Sequence, residues 1–464
     1  MDLEYLDSNS YENNVLFFRD YLNYIYLYLN ECTPSVVSQA FQSNLTGLLL
    51  CLLLNLFCTI LHKIKGFTFC KDILICVFST IAGVYLLLTS FENGAWSIFL
   101  FAATSTCIIC VIKPTPRLMG ILGICAIYLV FNETYIDSKQ WHALRGPFMI
   151  LLMKVISVAI DIDKGDLISV SMLKLIGYLM SPCSLLYGPW FDYRAYVKWS
   201  NASTISFSCI SKFLKAYCFG TFFLLFSTCI SQMIFSGLPD NKWIKAYQDA
   251  QSFRFSHYFI SFLSLSYLHA MNIDHITDPT ISRNARQIVD PISIELPRSL
   301  IDVVTLWNLP MHFWLKNYIF FPCRRFGRFA AILLTFTASS LLHGFNFALS
   351  AILISLGVYS YIEYVFRSQL SKTLSACIKA RPCFGDCPHK FKKTHLLTIL
   401  VNLAFTVLAM FQLAYIAAML DDSVGHSEGY SMQHTLNVWK RLHFSGHIVA
   451  FINYFLYLIF KSLT

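Results

Sequence analysis

The chain has 464 residues, of which 56% are hydrophobic and only 13% charged, with 41 Phe and 25 Tyr. A water-soluble core does not need that much apolar surface, and the apolar residues come in repeated blocks long enough to cross a bilayer, which leaves an all-α polytopic membrane protein in contact with membrane lipids. The formal charge of +9 does not indicate nucleic-acid binding, because Lys and Arg sit mainly in short links between apolar blocks, as cytoplasmic loops beside anionic lipid do.

Residues 1–40 begin acidic and show no signal-peptide pattern. An aromatic patch at 15–29, interrupted by Arg19, Asp20 and Asn23, predicts a helix at the interface. Residues 1–40 therefore read as an N-terminal luminal or interfacial segment, and 41–464 as the transmembrane body. Spans are predicted at 44–61, 73–90, 96–112 and 118–131, with the basic links at 63–71 and 113–117 on the cytoplasmic face. Asn44-Leu45-Thr46 and Asn132-Glu133-Thr134 match glycosylation acceptors on the luminal side, but both lie so close to hydrophobic segments that unmodified Asn is expected. The 16 Cys are mostly scattered singly in apolar tracts and read as small packing residues rather than a disulfide scaffold.

A short span at 146–160 ends in Asp161, Asp163 and Asp166, read as a solvated loop because no third ligand type accompanies them. Residues 167–186 are interrupted by Pro182 and predict a broken or tilted crossing. The aromatic loop at 187–198 suits either interfacial anchoring or a substrate mouth. After a span at 213–235, the stretch 271–298 is the longest polar region in the middle of the chain, functional or flexible.

The segment 299–367 carries the chemistry. Asn308, His312 and Lys316 recur at helical spacing around Pro310, so this stretch must face protein or a water-filled cavity rather than lipid. After a basic break at Arg324, Arg325 and Arg328, residues 329–366 predict two crossings joined by a tight reversal at 344–346, with His343 beside it. A polar group at that depth is costly without a partner or a task. An imidazole there can take a proton from a hydroxyl nucleophile while the Asn308 amide orients a thioester or stabilises developing charge. No Gly-x-Ser-x-Gly elbow supplies an enzyme nucleophile, which favours direct attack by the acceptor. A buried histidine satisfied by a carbonyl or serine is the competing structural reading.

Beyond it, 368–393 is basic, and Cys383, Cys387 and His389, with Cys377 nearby, are candidate zinc ligands; free thiols or S-acylation are the alternatives. The proposed reaction requires no metal and no cofactor. His443 and His447, four apart near the final span, form only a weak metal pattern.

Trp307-Asn308-Leu309-Pro310-Met311-His312, Leu341-Leu342-His343-Gly344, Tyr361-Ile362-Glu363 and the loop from Arg381 to His389 resemble the motifs of membrane-bound O-acyltransferases, in particular the branch that acylates Wnt/Wingless proteins. That resemblance implies a bundle of about eleven transmembrane helices with re-entrant or interfacial segments, fewer than the roughly thirteen apolar blocks in the chain. It implies transfer of palmitoleoyl from palmitoleoyl-CoA to a serine hydroxyl of a Wnt/Wingless protein in the endoplasmic reticulum membrane. His343 and Asn308 would be catalytic, and Trp307, His312, Arg324 and Arg325 would contact substrate. Acylation of a lipid or sterol alcohol, and ligand binding by a transporter or receptor, are the readings to be distinguished from it.

Overall fold

The computed structural model describes residues 4–64, 68–91, 94–113, 116–167, 170–202, 206–273, 287–383, 385, 387–420 and 431–463. Among these, backbone hydrogen bonding is almost entirely helical, as it must be where lipid offers no partners. Glu4–Lys63 (α1) is one helix that passes residue 40 without interruption despite Pro34. Thr68–Phe91 (α2), Ala95–Val111 (α3), Pro116–Tyr135 (α4) and Ser138–Asp163 (α5) follow. Met172–Leu179 (α6) and Pro182–Leu185 (α7) form the broken element that Pro182 predicted, and Tyr193–Ala202 is α8. Phe207–Ser236 (α9) contains a π turn at Phe226–Ile230, and Lys242–Met271 is α10.

Seven helices are long and apolar enough to cross a membrane, or eight if the pair Met432–Arg441 and Ser445–Ser462, bent by 70°, is one span. These counts, made among the described residues, are lower than the number of apolar blocks because several blocks are short or bent. α3 is one of the shorter apolar helices. α10 carries Lys242, Lys245, Asp249 and Arg254, yet packs against both α9 and α1.

The end of α10 shows how the bundle satisfies its backbone. Helix termini leave carbonyls without intrahelical partners. Here Cys209 donates to His269 O at 2.6 Å, Asn55 to Ala270 O at 3.0 Å and Trp199 to Met271 O at 2.6 Å. Asn272 closes the helix in a left-handed conformation with φ 58°.

Several expectations change once the packing is visible. Cys32 and Cys229 form a disulfide that ties α1 to the π turn of α9, so two of the cysteines are a cross-link rather than packing residues. Asn44 and Asn132 are both buried in helices, which agrees with unmodified side chains. Two members of the acidic cluster are partnered rather than solvated: Asp161 is buried and accepts from Tyr318 at 3.0 Å, and Asp163 pairs with Arg117 at 2.9 Å, while Asp166 is exposed as expected. His443 and His447 take separate partners, Lys242 and Tyr415.

Downstream, Pro291–Glu295 (α11), Leu300–Leu306 (α12) and Leu309–Leu315 (α13) are short. α13 continues through a π turn at Lys316–Phe320 to Cys323. Arg328–Leu342 (α14) and Phe347–Thr373 (α15) are the two predicted crossings around the reversal, and Leu396–Ala417 (α16), Met432–Arg441 (α17) and Ser445–Ser462 (α18) complete the chain. α14 has 15 residues, about 22 Å of helix against an apolar thickness of about 30 Å. It runs from the exposed Arg328 to His343, shorter than a full crossing.

Gly357 lets α15 approach α14 closely, since a Cβ there would lie 2.6 Å from the Phe336 ring. Gly357→Leu is expected to destabilise the hairpin by about 1–3 kcal/mol, and Gly357→Ala by less. Thermal unfolding in detergent checks this; an unchanged melting temperature for the Leu variant would mean that the two helices separate freely.

Candidate active site

The site is built on a break in a helix. Between α12 and α13 the ladder stops at Trp307 and Asn308, because Pro310 has no N–H to donate and its ring clashes with a preceding turn. At membrane depth every backbone group so released needs a partner. Asn308 takes an extended conformation, φ −149° and ψ 92°, and its Oδ1 accepts from Met311 N at 3.0 Å as the N-cap of α13. Leu309 N donates to Ile288 O at 2.8 Å, and Asp290 N donates to Leu306 O at 3.1 Å. The described end of the long polar region therefore braces the break; its remainder, with His275, Arg283 and Arg286, lies outside the described residues.

The Trp307 carbonyl is met by His257 on α10, with Nε2 at 3.0 Å. A carbonyl only accepts, so His257 carries its proton on Nε2 and presents Nδ1 as an acceptor. Its ring also stacks on the Trp307 indole, with centroids 4.4 Å apart.

The bracing of Asn308 decides what its amide can do. With Oδ1 committed to the cap, the side chain offers the two Nδ2 hydrogens as donors. Asn308, His257, Ser261, Ser264 and Met311 line a cavity of about 50 Å³. Tyr187, Pro189 and Trp190 also line it, so the start of the aromatic loop contributes to a cavity.

His343 closes α14 and its N–H returns to Ser340 O at 3.1 Å. The side chain lies within electrostatic reach of His257 and Arg145, but His343 is absent from the cavity lining. Gly344 adopts φ +81°, where a side chain would be strained, and a Cβ there would sit 3.2 Å from Glu133 Oε2. Glu133 pairs with Arg145 at 2.9 Å and accepts from Trp141 at 2.6 Å, so α4 and α5 buttress the reversal that holds His343. Asn346 caps α15 by accepting from Leu349 N at 3.0 Å.

The remaining sequence candidates separate. Trp307 belongs to the site through His257. His312 lies on α13, where the cations in its surroundings are Lys316 and Arg381, and it is absent from the cavity lining. Arg324 and Arg325 occupy an exposed turn before α14, with Arg325 over the Phe326 ring at 4.7 Å, outside the cavity. Cys383, Cys387 and His389 come together with Cys377 in the loop between α15 and α16. His257 and Arg145 escaped sequence reasoning; a histidine in an apolar tract with Ser261 one turn later was the available signal for the first.

A largely apolar cavity carrying an amide and an imidazole on its wall is compatible with an enzyme of acyl-transfer type. The sequence matches the model of MBOAT, the membrane-bound O-acyltransferase family, over residues 46–385. It is 36% identical over 355 residues to the protein-serine O-palmitoleoyltransferase porcupine of Mus musculus, covering 70% of this chain and 75% of that protein. With the Homo sapiens protein of the same name the identity is 35% over the same shares, and with the Drosophila melanogaster one 31%, covering 69% and 65%. The chain belongs to the membrane-bound O-acyltransferase family and is an acyltransferase.

Asn308→Ser keeps a capping oxygen and removes the amide donor. It is expected to melt near the wild-type temperature yet lose transfer activity by about 100-fold or more. Asn308→Ala should lose the activity and also about 1 kcal/mol of stability. Parallel thermal unfolding and turnover measurements check both; full activity in the Ser variant would reduce Asn308 to a helix cap.

Proposed function

We propose that this enzyme transfers palmitoleoyl from palmitoleoyl-CoA to a serine hydroxyl of a Wnt/Wingless protein in the endoplasmic reticulum membrane. The observation that carries the chemistry is the division of labour at Asn308, whose Oδ1 caps α13 while Nδ2 remains a donor in the cavity shared with His257. The relatives named protein-serine O-palmitoleoyltransferase support the choice of acyl chain and acceptor.

In the proposed reaction the serine oxygen attacks the thioester carbonyl as its proton passes to His343. The carbonyl oxygen gains charge and receives a hydrogen bond from Asn308 Nδ2. The C–S bond then breaks, the sulfur takes the proton back from the imidazolium, and CoA leaves as the free thiol. Holding both substrates beside one another removes much of the orientation cost of a bimolecular step. An acyl chain gains roughly 0.8 kcal/mol per methylene buried, so an apolar tunnel is a sufficient anchor for the donor.

The exposed cations Arg324 and Arg325 suit attraction of anionic CoA at the cytosolic entrance rather than contact with the reacting atoms. Trp307 supports the cavity wall, and His312 belongs with the cationic donor side. The protein would reach about eleven membrane segments if α3, α10 and the bent pair α17–α18 traverse the bilayer together with the seven long apolar helices and α14 enters it as a re-entrant one. The Cys32–Cys229 disulfide supports an oxidising lumen at that end of α1. Residues 1–40 would form the luminal or interfacial segment, and 41–464 the acyltransferase domain with its centre in 299–367.

Purified protein with palmitoleoyl-CoA should acylate a serine in a Wnt-derived peptide, located by mass spectrometry, in preference to a small lipid alcohol. His343→Ala should still bind acyl-CoA and lose transfer by about 100- to 10,000-fold. Preference for the lipid alcohol would reassign the acceptor; undiminished transfer by the Ala variant would remove His343 from the mechanism.

A further inference from the structure

We infer that Cys377, Cys383, Cys387 and His389 bind a structural zinc ion in the loop between α15 and α16. One donor atom from each of the four lies within 4.8 Å of every other. Three sulfurs and one imidazole nitrogen are the donor set of a closed tetrahedral zinc site. With bond lengths of about 2.3 Å to sulfur and 2.0–2.1 Å to nitrogen, a tetrahedron sets sulfur and nitrogen about 3.5 Å apart. His389 Nδ1 stands 3.6 Å from Cys377 Sγ and 3.7 Å from Cys383 Sγ.

A second observation, independent of those distances, concerns which nitrogen of His389 carries the proton. Ser371 on α15 donates its hydroxyl to Ala376 O at 2.6 Å, so towards His389 Nε2, 3.1 Å away, it can only accept. The proton therefore sits on Nε2 and the Nδ1 lone pair points at the sulfurs. This is how an outer hydrogen bond sets the tautomer of a zinc-bound histidine. Binding would exchange the three thiol protons for one Zn²⁺, leaving a net charge of −1 on the complex. Arg298, which donates to Cys377 O at 3.0 Å and lies within electrostatic reach of Cys377 and Cys383, offsets that charge.

The competing arrangement is a disulfide. Cys377 and Cys387 sulfurs are 2.9 Å apart, longer than a covalent bond and shorter than a zinc site would hold them. A disulfide, however, would leave Cys383 and the oriented His389 without a role.

The clamp has a clear destination. Cys377 O accepts from Arg298 and from Asn402 at 3.3 Å, Ile378 O accepts from Arg367 at 2.8 Å, and Lys379 O accepts from both arginines. Arg367 pairs with Glu363, and Glu363 receives Leu300 N at 2.8 Å, at the start of the segment that leads to Asn308. All four coordination positions are taken by protein, so the ion would tie the loop to α12 and α15 without taking part in chemistry.

Elemental analysis of the full-length protein in detergent should find about one zinc per chain. Cys383→Ser with Cys387→Ser should reduce it to near zero, and Cys110→Ser should leave it unchanged. Ser371→Ala, which alters no ligand, should weaken zinc retention against a chelator by about 10- to 100-fold. Stripping zinc from the wild type with a strong chelator should lower its melting temperature, a readout that survives if the double variant fails to fold. A metal-free protein with Cys377–Cys387 joined in non-reduced peptide maps, or one whose three thiols alkylate freely in the native state, would overturn the proposal.

Discussion

Arg367 has no exposed surface, and the catalytic region is organised around it. A buried guanidinium is tolerable only when its partners replace water almost completely. Nε reaches Ile378 O at 2.8 Å, Nη1 reaches Glu363 Oε1 at 2.9 Å and Arg298 O, and Nη2 reaches Asn402 Oδ1 at 2.7 Å. Glu363 spends its second oxygen on Leu300 N. One ion pair thereby joins α15, the loop after it, α16 and the entry to α12. Removing either partner would leave an uncompensated charge in an apolar interior, so the pair acts as a constraint on position more than as a source of net stability.

From that anchor the chain runs eight residues to Asn308, where a second problem in backbone satisfaction becomes the active site. A helix interrupted in a bilayer is stable only if other protein groups take up its released donors and acceptors. Asn308 Oδ1, Ile288 O, Asp290 N and His257 Nε2 do so here. The same geometry places Asn308 on the cavity wall beside the His257 imidazole. Structural repair of the break and placement of the Asn308 side chain on the cavity wall are one arrangement.

The hairpin carrying His343 depends on groups distant in sequence. Gly344 is required because φ is positive there and because Glu133 and Arg145 press close. α14, at 15 residues, is shorter than the apolar thickness of a bilayer. Hydropathy reads the same stretch as an ordinary crossing, since a window average does not register where a helix stops.

Composition and block length were enough to establish a polytopic helical membrane protein, and the motifs around Asn308 and His343 were enough to point to the family. Pro182 and Pro310 announced their breaks because a missing N–H acts locally and is written in one residue. The number of full crossings, the partners of Asp161 and Asp163, the Cys32–Cys229 bridge, the role of His257 and the meeting of Cys377 with His389 were decided only by tertiary structure. Each depends on which helix faces which across long stretches of chain, and lipid-facing and protein-facing apolar surfaces have the same composition until packing distinguishes them.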